Sequence, residues 1–163
     1  MTIGPTEAIR LELKPGAIVP AGALLMITLV RFGWWQGLAA SALFLLSLLA
    51  HEAGHVAAAQ LCGKRVVAVG LCLKGAYNRR ERAEGNAEFA ISAAGPALNL
   101  ALAAVLIGPS GLDAWFGQIN LVLALFNLLP FAGSDGQRML SILRARALAK
   151  RNNTCTTIPR ARE

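Results

Sequence analysis

The chain has 163 residues, of which 55% are hydrophobic and only 15% are charged, and its mean hydropathy is +0.52. Soluble domains carry roughly 25% charged residues, so this chain has more apolar surface than a core of its size can bury. These figures exclude a disordered chain and a disulfide-stapled secreted domain, and they indicate a membrane-embedded protein. The net charge of +7 suits an anionic membrane surface. Nucleic-acid binding is not expected, because the basic residues flank apolar segments.

Four apolar segments are candidates for helices that cross a lipid bilayer, namely residues 17–31, 34–62, 87–107 and 112–131. At 1.5 Å per residue the second segment would extend about 43 Å, more than the roughly 30 Å hydrocarbon layer. Gly63 follows it directly, as is common at a helix C-terminus. Gly95-Pro96 predicts a kink in the third segment, and Pro130 predicts a stop or bend in the fourth.

Two further segments have other patterns. Residues 64–80 begin with alternating apolar side chains and contain turn residues, which predicts a β-strand or hairpin at the membrane surface. Within it, the 65–74 strand is expected to offer an exposed edge to which an extended peptide could add as a further strand. Residues 135–150 place leucines at helical spacing between basic residues, which predicts a basic amphipathic helix lying on the membrane.

Together these segments predict an α-helical polytopic membrane protein that forms a single domain over residues 1–163. It would have about four transmembrane helices and a small β element between the second and third. Lys and Arg concentrate in residues 63–86 and 132–163, with six and seven of them. Because cytoplasmic loops carry an excess of these residues, we expect a multi-pass protein of the cell membrane with both termini in the cytoplasm.

The two histidines of the chain stand in one pentapeptide, His51-Glu52-Ala53-Gly54-His55. On a helix, positions i and i+4 share a face, so both imidazoles could hold one Zn²⁺ while Glu52 reaches a metal-bound water as general base. Ionisable groups are costly in lipid unless they line a wet cavity or have partners, which favours a functional site. His51 lies about 18 Å along the helix before Gly63, so the site would lie within the membrane toward the cytoplasmic face.

A third protein ligand is needed for such a zinc site. The candidates are acidic residues downstream of the histidines, namely Glu81, Glu84, Glu88 and Asp135. Asp135 directly follows the fourth segment, where a break at Pro130 could turn it inward, but a turn Asp or a helix N-cap would look the same. Spacing alone leaves the choice of ligand open.

Three motifs in order, HEAGH at 51–55, GPALN at 95–99 and NLLPFAGSDG at 127–136, resemble the site-2 protease family of intramembrane zinc metalloproteases. The resemblance implies that His51, His55 and Asp135 hold the zinc and that Glu52 is the catalytic carboxylate. It also implies that Asn99 and Asn127 bind the unwound substrate backbone or the oxyanion. The implied activity is hydrolysis of a peptide bond in the transmembrane segment of another membrane protein, in regulated intramembrane proteolysis.

The chain departs from the family pattern around the third motif, at Ala132, Gly133, Ser134 and Gln137. These departures predict a looser loop before Asp135. The chain is expected to be a minimal member without a PDZ or CBS domain. Two alternatives remain: a membrane gluzincin with a Glu ligand from residues 81–88, and an inactive metal-binding scaffold that retains substrates without cutting them.

Overall fold

The structure is a computed structural model that describes residues 9–73, 75–106 and 111–155, with side chains described no further than Arg151. In chain order the elements are β1 (Arg10–Leu13), a 3-10 turn (Pro15–Ala17), α1 (Ile18–Phe32), α2 (Trp34–Leu61), β2 (Val66–Cys72), β3 (Gly75–Arg80), α3 (Gly85–Leu106), α4 (Gly111–Leu128) and α5 (Asp135–Cys155). The predicted architecture, mostly helical with a small β element between the second and third long helices, is confirmed.

Within the described residues, three helical segments are long and apolar enough to cross a membrane, Pro15–Phe32, Trp34–Leu61 and Gly85–Leu106. The fourth predicted segment, 112–131, overlaps α4, which begins one residue earlier and ends two residues before Pro130. That α4 crosses the bilayer stays a prediction, as does the kink at Gly95-Pro96. The turn predicted between the third and fourth segments falls largely outside the described residues.

Helix α2 lies at the centre of the bundle and packs against α1, α3 and α4. Small residues allow the close approach: a Cβ at Gly37 would lie 2.7 Å from backbone atoms of Leu29 in α1. One turn further along α2, Ser41 shares a 2.7 Å hydrogen bond with Thr28 of α1. Small residues at interfaces and interhelical hydrogen bonds are what hold helices together where lipid removes the hydrophobic driving force.

The sheet has the order β1-β2-β3, with β1 parallel and β3 antiparallel to β2. The expected hairpin is present, but the expectation that the 65–74 strand is an exposed edge is wrong. β2 is the central strand, because β1 occupies its other side. Among the strands that the structure describes, the open edge of the hairpin therefore belongs to β3, which pairs only with β2.

The helix predicted over residues 135–150 is present as part of α5. The first turns of α5 pack against α3 and α4. Met139, Leu140 and Ile142 are half-buried there, whereas the described side chains from Leu143 onward are exposed. The Arg146 guanidinium lies 5.5 Å from the centre of the Phe89 ring of α3, a cation–π contact. The exposed part of α5 has the basic surface expected of a helix on the membrane, and its contact with lipid stays a prediction.

Candidate metal centre

Three potential ligand atoms meet where α2 passes the start of α5. His51 Nε2, His55 Nε2 and Asp135 Oδ2 lie 3.1 Å from one another in all three pairings. The three residues are buried, with exposed fractions of 3%, 5% and 6%. They form the one group of metal-ligating side chains that the described part of the chain brings together.

The donor set and its spacing fit a zinc ion. Tetrahedral zinc with bonds of about 2.0–2.1 Å has ligand atoms roughly 3.3 Å apart, close to the distances observed. His55 Nδ1–H donates to the Ile91 carbonyl oxygen over 2.7 Å, so that its Nε2 carries the lone pair. Lone pairs and a carboxylate oxygen repel one another unless a cation lies between them. With three protein ligands, a fourth position stays open for water or substrate, as in catalytic zinc sites.

Gly95 makes room for the two imidazole rings. A Cβ at this position would overlap His55 Nε2 and would lie 2.9 Å from His51 Cε1. At the same crossing of α2 and α3, a Cβ at Gly54 would lie 2.7 Å from the Ala94 carbonyl oxygen. The glycines of the first two motifs therefore allow the backbones of α2 and α3 to come together at the metal ligands.

The loop before Asp135, which was expected to be looser than is usual in the family, is held by hydrogen bonds from its own side chains. The Ser134 hydroxyl donates to the carbonyl oxygens of Leu129 and Phe131 at 2.5 and 2.9 Å, and it accepts from the Gln137 amide at 3.1 Å. The Gln137 side chain accepts from the Gly133 amide at 2.8 Å. This reciprocal arrangement is similar to a capping box at the start of α5. The departures from the family pattern therefore supply hydrogen bonds that hold Asp135.

Glu52 lies next to the metal ligands on α2 and is buried, with 6% of its surface exposed. Its Oε2 accepts a 2.7 Å hydrogen bond from Asn78 Nδ2 on β3. The sequence did not single out Asn78, because a polar side chain in a surface strand is unremarkable until the strand's partner is known. The bond links the open sheet edge to the proposed general base.

The two predicted substrate-binding asparagines have different surroundings. Asn99 is fully buried on α3; its Nδ2 lies 3.5 Å from the Ser47 carbonyl oxygen, one turn before His51, and its Oδ1 has no partner among the described atoms. Asn127 donates to the Leu123 carbonyl of its own helix over 2.9 Å. Their roles toward substrate stay predictions.

Asn120 is a buried polar residue that sequence reasoning missed. It is fully buried on α4 and donates to Ser47 Oγ at 2.9 Å and to the Phe116 carbonyl at 2.8 Å. An amide directly before the apolar run LVLALF was the available signal, since polar side chains in a membrane helix usually face a partner. Through Ser47, Asn120 joins α4 to the helix that carries the histidines.

The glutamates considered as alternative ligands lie elsewhere. Glu88 forms a bidentate ion pair with Arg80, with N–O distances of 2.9 and 3.0 Å. Glu81 accepts from the Arg65 amide at 3.1 Å, and Glu84 is exposed. None of them belongs to the group of metal-ligating side chains, so the structure brings Asp135 to the histidines and not these glutamates.

Two named zinc metalloproteases are similar to this chain in sequence, in agreement with a metal site of this geometry. No family model matches the chain. It is 37% identical over 122 residues to a Mycobacterium tuberculosis protein named "Putative zinc metalloprotease Rip3" and 35% identical over 120 residues to a Synechocystis protein named "Putative zinc metalloprotease sll0528". Each match covers 66% of this chain and 31% of the relative, so the chain spans about a third of the length of these relatives.

Among solved structures, the fold is similar to that of a site-2 protease from Methanocaldococcus jannaschii, with a TM-score of 0.72. The match covers 88% of this chain and 71% of that one, at 21% identity. At this identity the likeness shows a shared fold and nothing further.

Proposed function

We propose that the chain is a member of the site-2 protease family and a zinc-dependent endopeptidase that hydrolyses a peptide bond in the transmembrane segment of a membrane-protein substrate. The observation that carries the proposal is the triangle of His51, His55 and Asp135 ligand atoms, with 3.1 Å sides, beside the buried carboxylate of Glu52. Regulated intramembrane proteolysis is the process in which such an activity would act.

The chain's own residues divide the work of hydrolysis. His51, His55 and Asp135 would hold a zinc ion. When bound, zinc acts as a Lewis acid and lowers the pKa of a water molecule toward neutrality. Glu52 takes a proton from the attacking water and returns it to the leaving amide nitrogen as the peptide bond breaks. Asn78 holds one oxygen of that carboxylate, so the other stays available for the proton transfer.

Asn99 and Asn127 are proposed to bind the substrate. The Nδ2–H groups of amide side chains donate to a developing oxyanion or to carbonyls freed by unwinding. Asn99 supports this role best, because its Oδ1 has no partner within the described structure and is free to accept a substrate N–H.

A transmembrane helix hides its scissile bond in i to i+4 hydrogen bonds, so it must unwind before it is cut. We place the unwound segment on the open edge of β3, where an added strand replaces the lost backbone hydrogen bonds. The Asn78–Glu52 hydrogen bond supports this choice, because it joins the edge to the general base. The substrate would reach the site from within the bilayer. Both termini of the enzyme are proposed to lie in the cytoplasm.

The first experiment measures zinc in detergent-purified protein. We expect about one zinc per chain in the wild type, strong loss in Asp135→Ala, and no loss in Asp113→Ala. Asp113 is the matched control, because it is an exposed acid in the first turn of another helix. Zinc retained in Asp135→Ala but lost in Glu81→Ala, Glu84→Ala or Glu88→Ala would favour the gluzincin alternative.

The second measurement is hydrolysis of a model transmembrane peptide in micelles. Glu52→Gln should keep its zinc and lose activity by about 10²- to 10⁴-fold, because the general acid and base are removed. A wild type that binds zinc and cuts no transmembrane peptide, and so does not differ from Glu52→Gln, would favour the inactive scaffold.

A further inference from the structure

A cavity of about 680 Å³ lies between β3, the segment that joins β3 to α3, and α5. Its charged lining consists of four arginines and two glutamates: Arg79, Arg80, Arg82, Arg138, Glu84 and Glu88. An excess of guanidinium groups in a concave site concentrates positive potential there. The cavity therefore has the charge of an anion-binding site.

The positive charge is only partly neutralised by the protein. Arg79 pairs with Glu12 outside the cavity at 2.9 Å, and Arg80 pairs with Glu88. Arg82 and Arg138 are exposed, and no ion pair connects either to another residue that the structure describes. Two guanidinium groups, against the one further carboxylate of Glu84, thus line the cavity and can bind an incoming anion.

Arg80 gives an independent sign of a missing acceptor. Its side chain is only 10% exposed, and its Nε–H is buried without a partner in the described part of the chain. A buried donor is usually paired, by protein or by a bound group. The ion pair with Glu88 therefore leaves one donor of Arg80 unsatisfied in a residue that lines the cavity.

The place of the cavity identifies the kind of ligand. Asn78 lines it and also donates to Glu52, so the cavity begins where the proposed catalytic site ends. β3 runs along it with the open edge on which the substrate is proposed to lie. A substrate segment on that edge would pass from Glu52 to the arginines. Binding of a free phosphate or a lipid headgroup would not require a position beside the general base.

We propose that this cavity binds carboxylate side chains in the substrate segment that directly flanks the bond to be cleaved. The inference rests on the proposed function and adds to it a preference for acidic residues in the substrate. Arg82 and Arg138 would bind these carboxylates, because the planar guanidinium pairs with a carboxylate through two parallel hydrogen bonds.

The test uses two synthetic transmembrane peptides that differ only in one flank, four Glu in one and four Gln in the other. Their binding to the Glu52→Gln protein is followed by fluorescence anisotropy in a zwitterionic detergent. We expect the Glu peptide to bind about tenfold more tightly, since charge-assisted hydrogen bonds exceed neutral ones. The preference should disappear in Arg82→Gln/Arg138→Gln. It should persist in Arg144→Gln, an exposed arginine of α5 outside the cavity.

Three outcomes would overturn the inference: equal binding of the two peptides, equal loss of the preference in Arg144→Gln, or displacement of the Glu peptide by phosphatidylglycerol nanodiscs but not by phosphatidylcholine ones. The last would identify a headgroup site. Binding is read without turnover, so the two proposals can fail separately. A preserved preference without hydrolysis by the wild type would contradict only the proposed function, and hydrolysis without a preference would contradict only this inference.

Discussion

The site depends on residues that carry no functional group as much as on those that do. Gly95 contributes only the absence of a side chain, yet both imidazoles lie in the space that a Cβ would take. Side chains that orient metal ligands commonly change metal affinity by about 10- to 100-fold when altered. Replacing a glycine that contacts two ligand side chains is expected to change metal affinity by a similar factor.

We therefore expect Gly95→Ala to weaken zinc binding by about 10- to 100-fold, by displacing His51 and His55. Ala favours helix over Gly, so the helical circular dichroism should stay unchanged or rise slightly. The measurement is a zinc titration against a competing chelator in detergent. Gly22→Ala is the matched control, because a Cβ at that position meets nothing within 4 Å. Equal zinc affinity in both variants would show that the imidazoles tolerate the added methyl group.

How far the site follows from sequence depends on how local each contact is. His51 and His55 are one turn apart on one helix, so their shared face was predictable from spacing alone. Asp135 joins them from 80 residues away, and spacing could not choose it over three glutamates. The role of Asn78 could not be predicted from the sequence, because its hydrogen bond to Glu52 depends on how the sheet packs on α2.

At the scale of elements, the sheet shows the same division. The hairpin is local, and the alternation in residues 64–80 was enough to predict it. β1 was missed because it is only four residues long and pairs in parallel with a strand almost 60 positions away. Its side-chain contacts hold it: Tyr77 OH donates to Glu12 at 2.6 Å, and Arg79 donates to the other oxygen of Glu12 at 2.9 Å.

The Tyr77–Glu12 bond predicts an unusual tyrosine titration. The hydrogen bond to Glu12 raises the pKa of Tyr77 above its ordinary value of 10.0, because the carboxylate favours the protonated phenol. The stability gained from this bond is present below pH 10 and is lost as the pH rises through the raised pKa. Tyr77 is the single tyrosine of the chain, so tyrosinate absorbance near 295 nm reports it directly.

Glu12→Gln should bring the Tyr77 midpoint back toward 10.0, since it removes the charge that favours the phenol. Glu84→Gln removes the same charge from an exposed loop position and should leave the midpoint unchanged. An identical midpoint in the wild type and Glu12→Gln would mean that β1 does not dock on the hairpin through this bond.

At the scale of the whole molecule, the proposed metal site connects parts that little else joins. α5 packs on α3 and α4, whereas the histidines lie on α2. A zinc held by all three residues would therefore fasten the start of α5 to the central helix. A ligand that binds only the folded state stabilises it in proportion to the logarithm of its concentration over Kd, about 2.7 kcal/mol at 100 Kd.

Removing zinc should accordingly lower the melting temperature in detergent. For a chain of this size, about 2–4 °C accompanies each kcal/mol, so a chelator should lower the Tm by roughly 5–10 °C. Re-added Zn²⁺ should restore the Tm and Mg²⁺ should not, because two imidazoles and one carboxylate do not suit magnesium. Asp135→Ala should begin near the lower Tm and respond little to the chelator. An equal chelator-induced decrease in that variant would place the stabilising metal elsewhere in the molecule and remove the structural role assigned here to Asp135.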